Sequence, residues 1–147
     1  MSKPDFVYVN YIRASREEVW KGLLEPEFTR QYWMHEQISD WKVGSSWEHV
    51  RLDEAKTPDI VGKVLESDHP NRLVLTWAQP KDADNPEKVS KVAFDLRPVE
   101  EWPNGPWTQL TLTHSDLEPG SEMEQSVSYG WPALMSGLKT LLETGKI

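Results

Sequence analysis

Four histidines, eight tryptophans and no cysteine set the chemistry open to this chain. The histidines are His35, His49, His69 and His114. No two have the i, i+4 helical spacing of a zinc protease, and no thiolate is present as a softer ligand, so no metal and no other cofactor is expected. The lack of cysteine also excludes disulfides and fits a reducing compartment. Neither a glycine-rich phosphate loop nor a G-x-S-x-G nucleophile turn occurs, and no serine has an evident base and orienter. What is left is imidazole acid–base chemistry and aromatic recognition. His69, beside Pro70 in a turn, reads as solvated. His114 shares strand parity with Leu110 and Leu112, the core face. It either presents a titratable ring to a cavity mouth or is a structural histidine bonded to a backbone carbonyl, and the second is the commoner situation. Trp47, His49 and Arg51 share one face of a strand, and Glu48, Val50 and Leu52 the other. Facing inward, the first set offers an aromatic wall, an imidazole and a guanidinium able to hold a carboxylate bidentately. Facing outward, Arg51 is a solvated charge. The size and apolarity of Trp47 favour the inward placement.

Composition narrows the partners. Sixteen Lys and Arg stand against 24 Asp and Glu, giving a net charge of −8, with the basic residues scattered. Nucleic acid and anionic membranes both need a basic patch, so neither is expected as a partner. No apolar run reaches membrane-spanning length. The N-terminal MSKPDFVYVNYIRAS has no apolar h-region, and a cytoplasmic location is the expectation. A length of 147 residues suits one domain with a sizeable core. Tryptophan is costly to bury unless its N–H finds an acceptor, so several of the eight are expected to line a cavity, the alternative being that they fill the core.

The elements that position these residues follow from periodicity. Phe6 to Arg13 alternates and is rich in Val, Tyr and Ile, which predicts a strand. Ser15 and Glu18 form a capping box ahead of Val19, Trp20, Leu23 and Leu24, and that short helix should stop at Glu25, before Pro26. Pro26 opens a second short helix carrying Phe28, Tyr32 and Trp33. Strands are predicted over Ser46 to Leu52, Ile60 to Ser67, Leu73 to Gln79, Val89 to Val99 and Thr108 to Ser115, separated by turn residues. The chain then ends in one amphipathic helix from Glu122 to Thr144. Val127, Trp131, Leu134, Met135, Leu138, Leu141 and Leu142 form its stripe, Ser121 and Glu124 a second capping box, and Gly145 the C-cap. Pro132 inside this helix should kink it, and Gly130 permits close approach of another backbone. Short turns between consecutive strands imply an antiparallel sheet, so the class is α+β with about six strands.

This order resembles the START-like helix-grip superfamily, known as SRPBCC, and within it the branch related to the C-terminal domain of the activator of heat-shock protein 90 ATPase. The residues that carry the resemblance are Tyr11-Ile12-Arg13-Ala14, Val19-Trp20, Asp40-Trp41-Lys42-Val43-Gly44-Ser45 with Trp47, and Gly62-Lys63-Val64-Leu65-Glu66. To these are added Arg72 through Trp77, Leu110 through His114, Gly130-Trp131-Pro132, and Leu138-Lys139 with Leu141 through Gly145. The resemblance implies a curved sheet gripping the C-terminal helix around a cavity. It carries no catalytic motif that can be transferred residue by residue.

The function expected from this reading is non-enzymatic binding of a small hydrophobic or aromatic molecule by a carrier or sensor. The expected site is Trp33, Trp47, Trp77, Phe94, Trp131, Met135 and Leu138, with His49, Arg51 and His114 as its polar members. A second possibility is a cyclase or dehydratase using His114 or His49 as acid and base, with Arg51 on a carbonyl or carboxylate. A third is a protein-interaction module. A homodimer is compatible with each of the three.

Overall fold

The computed structural model describes residues 5–146. Strand β1 (Phe6–Ile12) leads into helices α1 (Arg16–Leu24) and α2 (Pro26–Tyr32). Then come β2 (His35–Ile38), β3 (Ser46–Arg51), β4 (Pro58–Asp68), β5 (Arg72–Trp77), β6 (Ser90–Pro98), β7 (Thr108–Ser115) and the long α3 (Glu122–Thr144). The strands form one antiparallel sheet in the order β1-β7-β6-β5-β4-β3-β2. Seven strands are present where about six were expected. The extra one is β2, HEQI, whose four mostly polar residues carry neither the length nor the alternation of a strand signal. It exists because it pairs with β3, setting His35 opposite Arg51 and Gln37 opposite His49. Register shifts at His49/Val50 and between Val64 and Glu66 add the local bends that curve the sheet.

The helix ends follow their residues. Ser15 and Glu18 make the reciprocal capping box of α1. At α3 the Ser121 hydroxyl accepts from the Glu124 amide, but the Glu124 carboxylate turns to the Gly120 amide at 2.9 Å instead of completing the box. Gly145 closes α3 in the left-handed region, φ 82°, and donates to Leu141 O. The helix is continuous through Pro132 and buries Val127, Trp131, Met135, Leu138 and Leu141. These pack with Leu73, Leu75, Phe94, Leu96, Leu110 and Leu112 of the sheet in one core cluster, while Leu134 and Leu142 lie partly buried at its edge. Among the described residues, no helix is long and apolar enough to cross a membrane.

Close backbone approach occurs at Gly62 and not, as expected, at Gly130. A Cβ at Gly130 would meet nothing within 4 Å, whereas one at Gly62 would lie 2.0 Å from Thr76 O and 2.5 Å from Trp47 Nε1. The indole of Trp47 crosses above Gly62 to donate to Thr76 O at 2.8 Å, so this glycine is what lets β3 and β5 share a hydrogen bond over β4. Gly62→Ala should therefore cost at least the roughly 1–3 kcal/mol typical of overpacking. Denaturant unfolding measures it, and a loss below about 0.5 kcal/mol, the range of neutral surface changes, would show that the contact is not constraining.

Candidate functional site

A cavity of about 410 Å³ lies between the N-terminal half of α3 and the β3–β5 region of the sheet. Three indoles wall it: Trp33 just after α2, Trp77 at the end of β5 and Trp131 in α3. The ring of Trp131 sits edge-on to that of Trp33 at 5.4 Å and tilted to that of Trp77 at 5.2 Å, so the three form a bent aromatic surface. His35, His49 and Asp59 make its polar end, and the exposed Glu122 and Ser126 mark the α3 side. Gly130 also lines it, which explains the open space above its Cα.

Two of the walls, Trp131 and Trp77, are held by hydrogen bonds from their own indoles, and the third by stacking. Trp131 Nε1 donates to His114 Nδ1 at 3.0 Å. An indole nitrogen only donates, so Nδ1 is the bare nitrogen and Nε2 carries the proton. That proton goes to Ser90 Oγ, 2.7 Å away, and Ser90 in turn donates to the backbone oxygen of Trp77. Trp77 Nε1 donates to the sulfur of Met123 in α3. Trp33 is fixed through its neighbour Tyr32, whose ring stacks on it at 5.8 Å and whose hydroxyl donates to Gly22 O in α1.

The polar end is also built in pairs. His35 Nδ1 faces Trp33 O and its Nε2 faces Asp59 Oδ2, both at 2.8 Å. Both partners only accept, so the ring makes both bonds only as the imidazolium. It stacks on His49 with ring centres 4.1 Å apart and 10° between planes. His49 Nδ1 is 2.9 Å from Gln37 Oε1. The Arg51 guanidinium is spent on Asp59, with Nη2 2.8 Å from Oδ1, and its side chain is 58% exposed.

The sequence-selected residues therefore separate. Trp33, His49, Trp77 and Trp131 lie on the cavity wall. Trp47 is buried behind Trp77, with 5.5 Å between ring centres, and Phe94 meets Trp131 edge-on at 5.9 Å. Met135, Leu138 and His114 are fully buried in the core and do not line the cavity. Arg51 is outside it, because past the register shift at His49/Val50 the strand ends at the surface beside Asp59. His35, Asp59 and Met123 line the cavity without having been selected. No local pattern marks them, since His35 reaches the site only through the pairing of β2 with β3. Among the described residues, no three His, Asp or Glu side chains are grouped so as to hold a metal.

A sequence profile of the activator of Hsp90 ATPase homolog 1-like proteins matches residues 13–143. The chain belongs to this family. Its backbone is similar to that of a protein from Mesorhizobium loti, at 22% identity and a TM-score of 0.75, over 98% of this chain and 100% of that one. It is similar to the Aha1 dimer from Colwellia psychrerythraea, at 19% identity and a TM-score of 0.76, over 99% and 100%. CalU16 from Micromonospora echinospora matches at 20% identity and a TM-score of 0.67, over 96% of this chain and 77% of that one. Comparison with curated protein sequences gives no significant match. These likenesses place the fold in the START-like helix-grip superfamily.

Within this family member the two buried imidazoles are neutral. Burial, helped by the charge of His35 and opposed by Asp59, pushes His49 down to about 3, and burial alone takes His114 to about 3. The hydrogen bonds from Arg51 hold Asp59 down to about 2 against the cost of burial, with His35 assisting. In the unfolded chain both histidines take up protons near pH 6.5, but in the folded chain only near 3. The unfolded state thus binds more protons in that window. Their contribution is complete above about pH 6.5 and is lost as pH falls toward 3. Each contributes a slope of about 1.4 kcal/mol per pH unit. Unfolding free energy measured from pH 7 to pH 4.5 should fall accordingly, and His114→Gln should lower the slope by about that amount. An unchanged slope in the variant would mean that His114 is not held neutral.

Proposed function

We propose that this family member is a carrier or sensor that binds one small planar aromatic molecule in the cavity and releases it unchanged. The observation that carries this reading is the set of three indoles, Trp33, Trp77 and Trp131, around about 410 Å³. That volume falls within the roughly 300–1,000 Å³ of small-molecule sites, and apolar walls with a few fixed polar groups are their usual composition. Offset and edge-on contacts with indole faces favour flat rings.

The state of the histidines supports binding over catalysis. A general acid or base works best with a pKa near the operating pH. His49 at about 3 is far from it, His114 has both nitrogens engaged in the core, and both nitrogens of His35 are spent on Trp33 O and Asp59. No imidazole at the cavity combines a free nitrogen with a pKa near neutrality.

A thermal-shift screen of two- and three-ring aromatics tests the proposal. Ligand at a hundred times its dissociation constant stabilises the native state by about 2.7 kcal/mol, which at roughly 2–4 °C per kcal/mol is a shift of about 5–10 °C. The same compounds should quench tryptophan emission. Gly130→Leu projects a side chain into the open space above α3. It should keep or slightly raise the melting temperature, since Gly costs about 1 kcal/mol in a helix, while abolishing the ligand shift. Hits that are converted to product, or a variant that still binds, would overturn the proposal.

A further inference from the structure

The polar side chains that line the cavity offer mainly acceptors, with Trp33 Nε1–H, unpaired among the described residues, as a donor among them. His49 uses Nδ1 on Gln37 Oε1. The amide oxygen accepts, so Nδ1 carries the proton and Nε2 presents a lone pair. Among the described residues no side chain hydrogen-bonds to Nε2. The one fully buried, unpartnered side-chain polar atom among those residues is Thr29 Oγ1, so Nε2 keeps contact with empty space. His49 is only 4% exposed, and the space it borders is the cavity.

The other polar lining points the same way. Asp59 and Glu122 are carboxylates, and among the described residues no lysine or arginine lines the cavity. Both ring nitrogens of His35 are already engaged, on Trp33 O and Asp59 Oδ2. The Gln79 amide and Ser126 hydroxyl can serve either role. A ligand carboxylate would enter beside a lone pair and two negative side chains with no free cation to meet it. An ether or bare hydrocarbon would strip water from Nε2 and return nothing. A phenol O–H or an indole-type N–H would satisfy it.

We propose that the cavity selects planar aromatic molecules bearing a neutral O–H or N–H donor, and that this donor is received by Nε2 of His49. The inference rests on the cavity being the ligand site. It reverses the carboxylate recognition expected of Arg51, whose guanidinium is held by Asp59 instead.

Three probes of one ring system test it by calorimetry: 2-naphthol, 2-methoxynaphthalene and 2-naphthoate. The naphthol should bind about tenfold or more tightly than either of the others, the size of a net hydrogen bond. In protein labelled with nitrogen-15 at histidine, the Nε2 resonance of His49 should move with the naphthol and stay with the methoxy compound. His49→Phe keeps an aromatic ring but removes the lone pair, and should bring naphthol and methoxynaphthalene to equal affinity. The labelled wild-type measurement stands alone if that variant fails to fold. Equal binding of naphthol and ether to the wild type, blocked by Gly130→Leu, would overturn donor selection and leave the aromatic site standing. Naphthoate binding as tightly as naphthol would also overturn it. If none of the three binds, the aromatic site and this inference fall together.

Discussion

A tryptophan N–H buried under a helix must find an acceptor, and Trp131 finds one in Nδ1 of His114 on β7. The rest of the site depends on this bond. It fixes the His114 tautomer, so that the single N–H, at Nε2, meets Ser90 on β6, which in turn donates to the backbone of Trp77 on β5. One polar path thus ties α3 to three successive strands and sets two of the three aromatic walls. Leaving a buried donor or acceptor in it unmatched costs about 1–3 kcal/mol. The path is therefore better understood as a constraint on geometry than as a large net source of stability. Helix position, strand register and indole orientation are fixed together.

The floor of the cavity is organised by a second constraint, the ion pair of Asp59 with His35 and Arg51. Asp59 comes from β4, His35 from β2 and Arg51 from β3, so the pair closes the short β2 strand onto the sheet. The arginine side chain is more than half exposed, and surface pairs of this kind contribute little to stability. Their effect is local. Arg51 is turned out of the cavity, both nitrogens of His35 are consumed, and the His35 ring lies flat against His49. Burial and His35 then lower the His49 pKa against the opposing charge of Asp59, and the ring stays neutral.

Much of the fold was legible in the residues. The capping serines, the apolar stripe of α3, the glycine at its end and the alternation of Thr108–Ser115 are local signals, and local signals act through the backbone of their own segment. Strand β2 was not legible, because HEQI has no intrinsic strand character and is recruited by pairing. The candidate site was legible in its three indoles and in His49, not in its other polar members. Trp33, Trp77 and Trp131 are conspicuous for size, whereas His35 and Asp59 are ordinary polar residues until topology brings them to His49.

The sequence by itself determined the α+β class, the extent of the long helix and the absence of thiolate chemistry, since each depends on composition or on periodicity within one segment. The tertiary structure alone decided which face of a strand meets which neighbour. It put Met135, Leu138 and His114 into the packed core, sent Arg51 to Asp59, placed the tight glycine at Gly62 and left open space over Gly130. The physical reason is that a side chain's role here rests on hydrogen-bond partners far away in the chain. Trp47 is 29 residues from Thr76, and His35 is 24 from Asp59. No pattern within either segment encodes the distance between them once the sheet has curved.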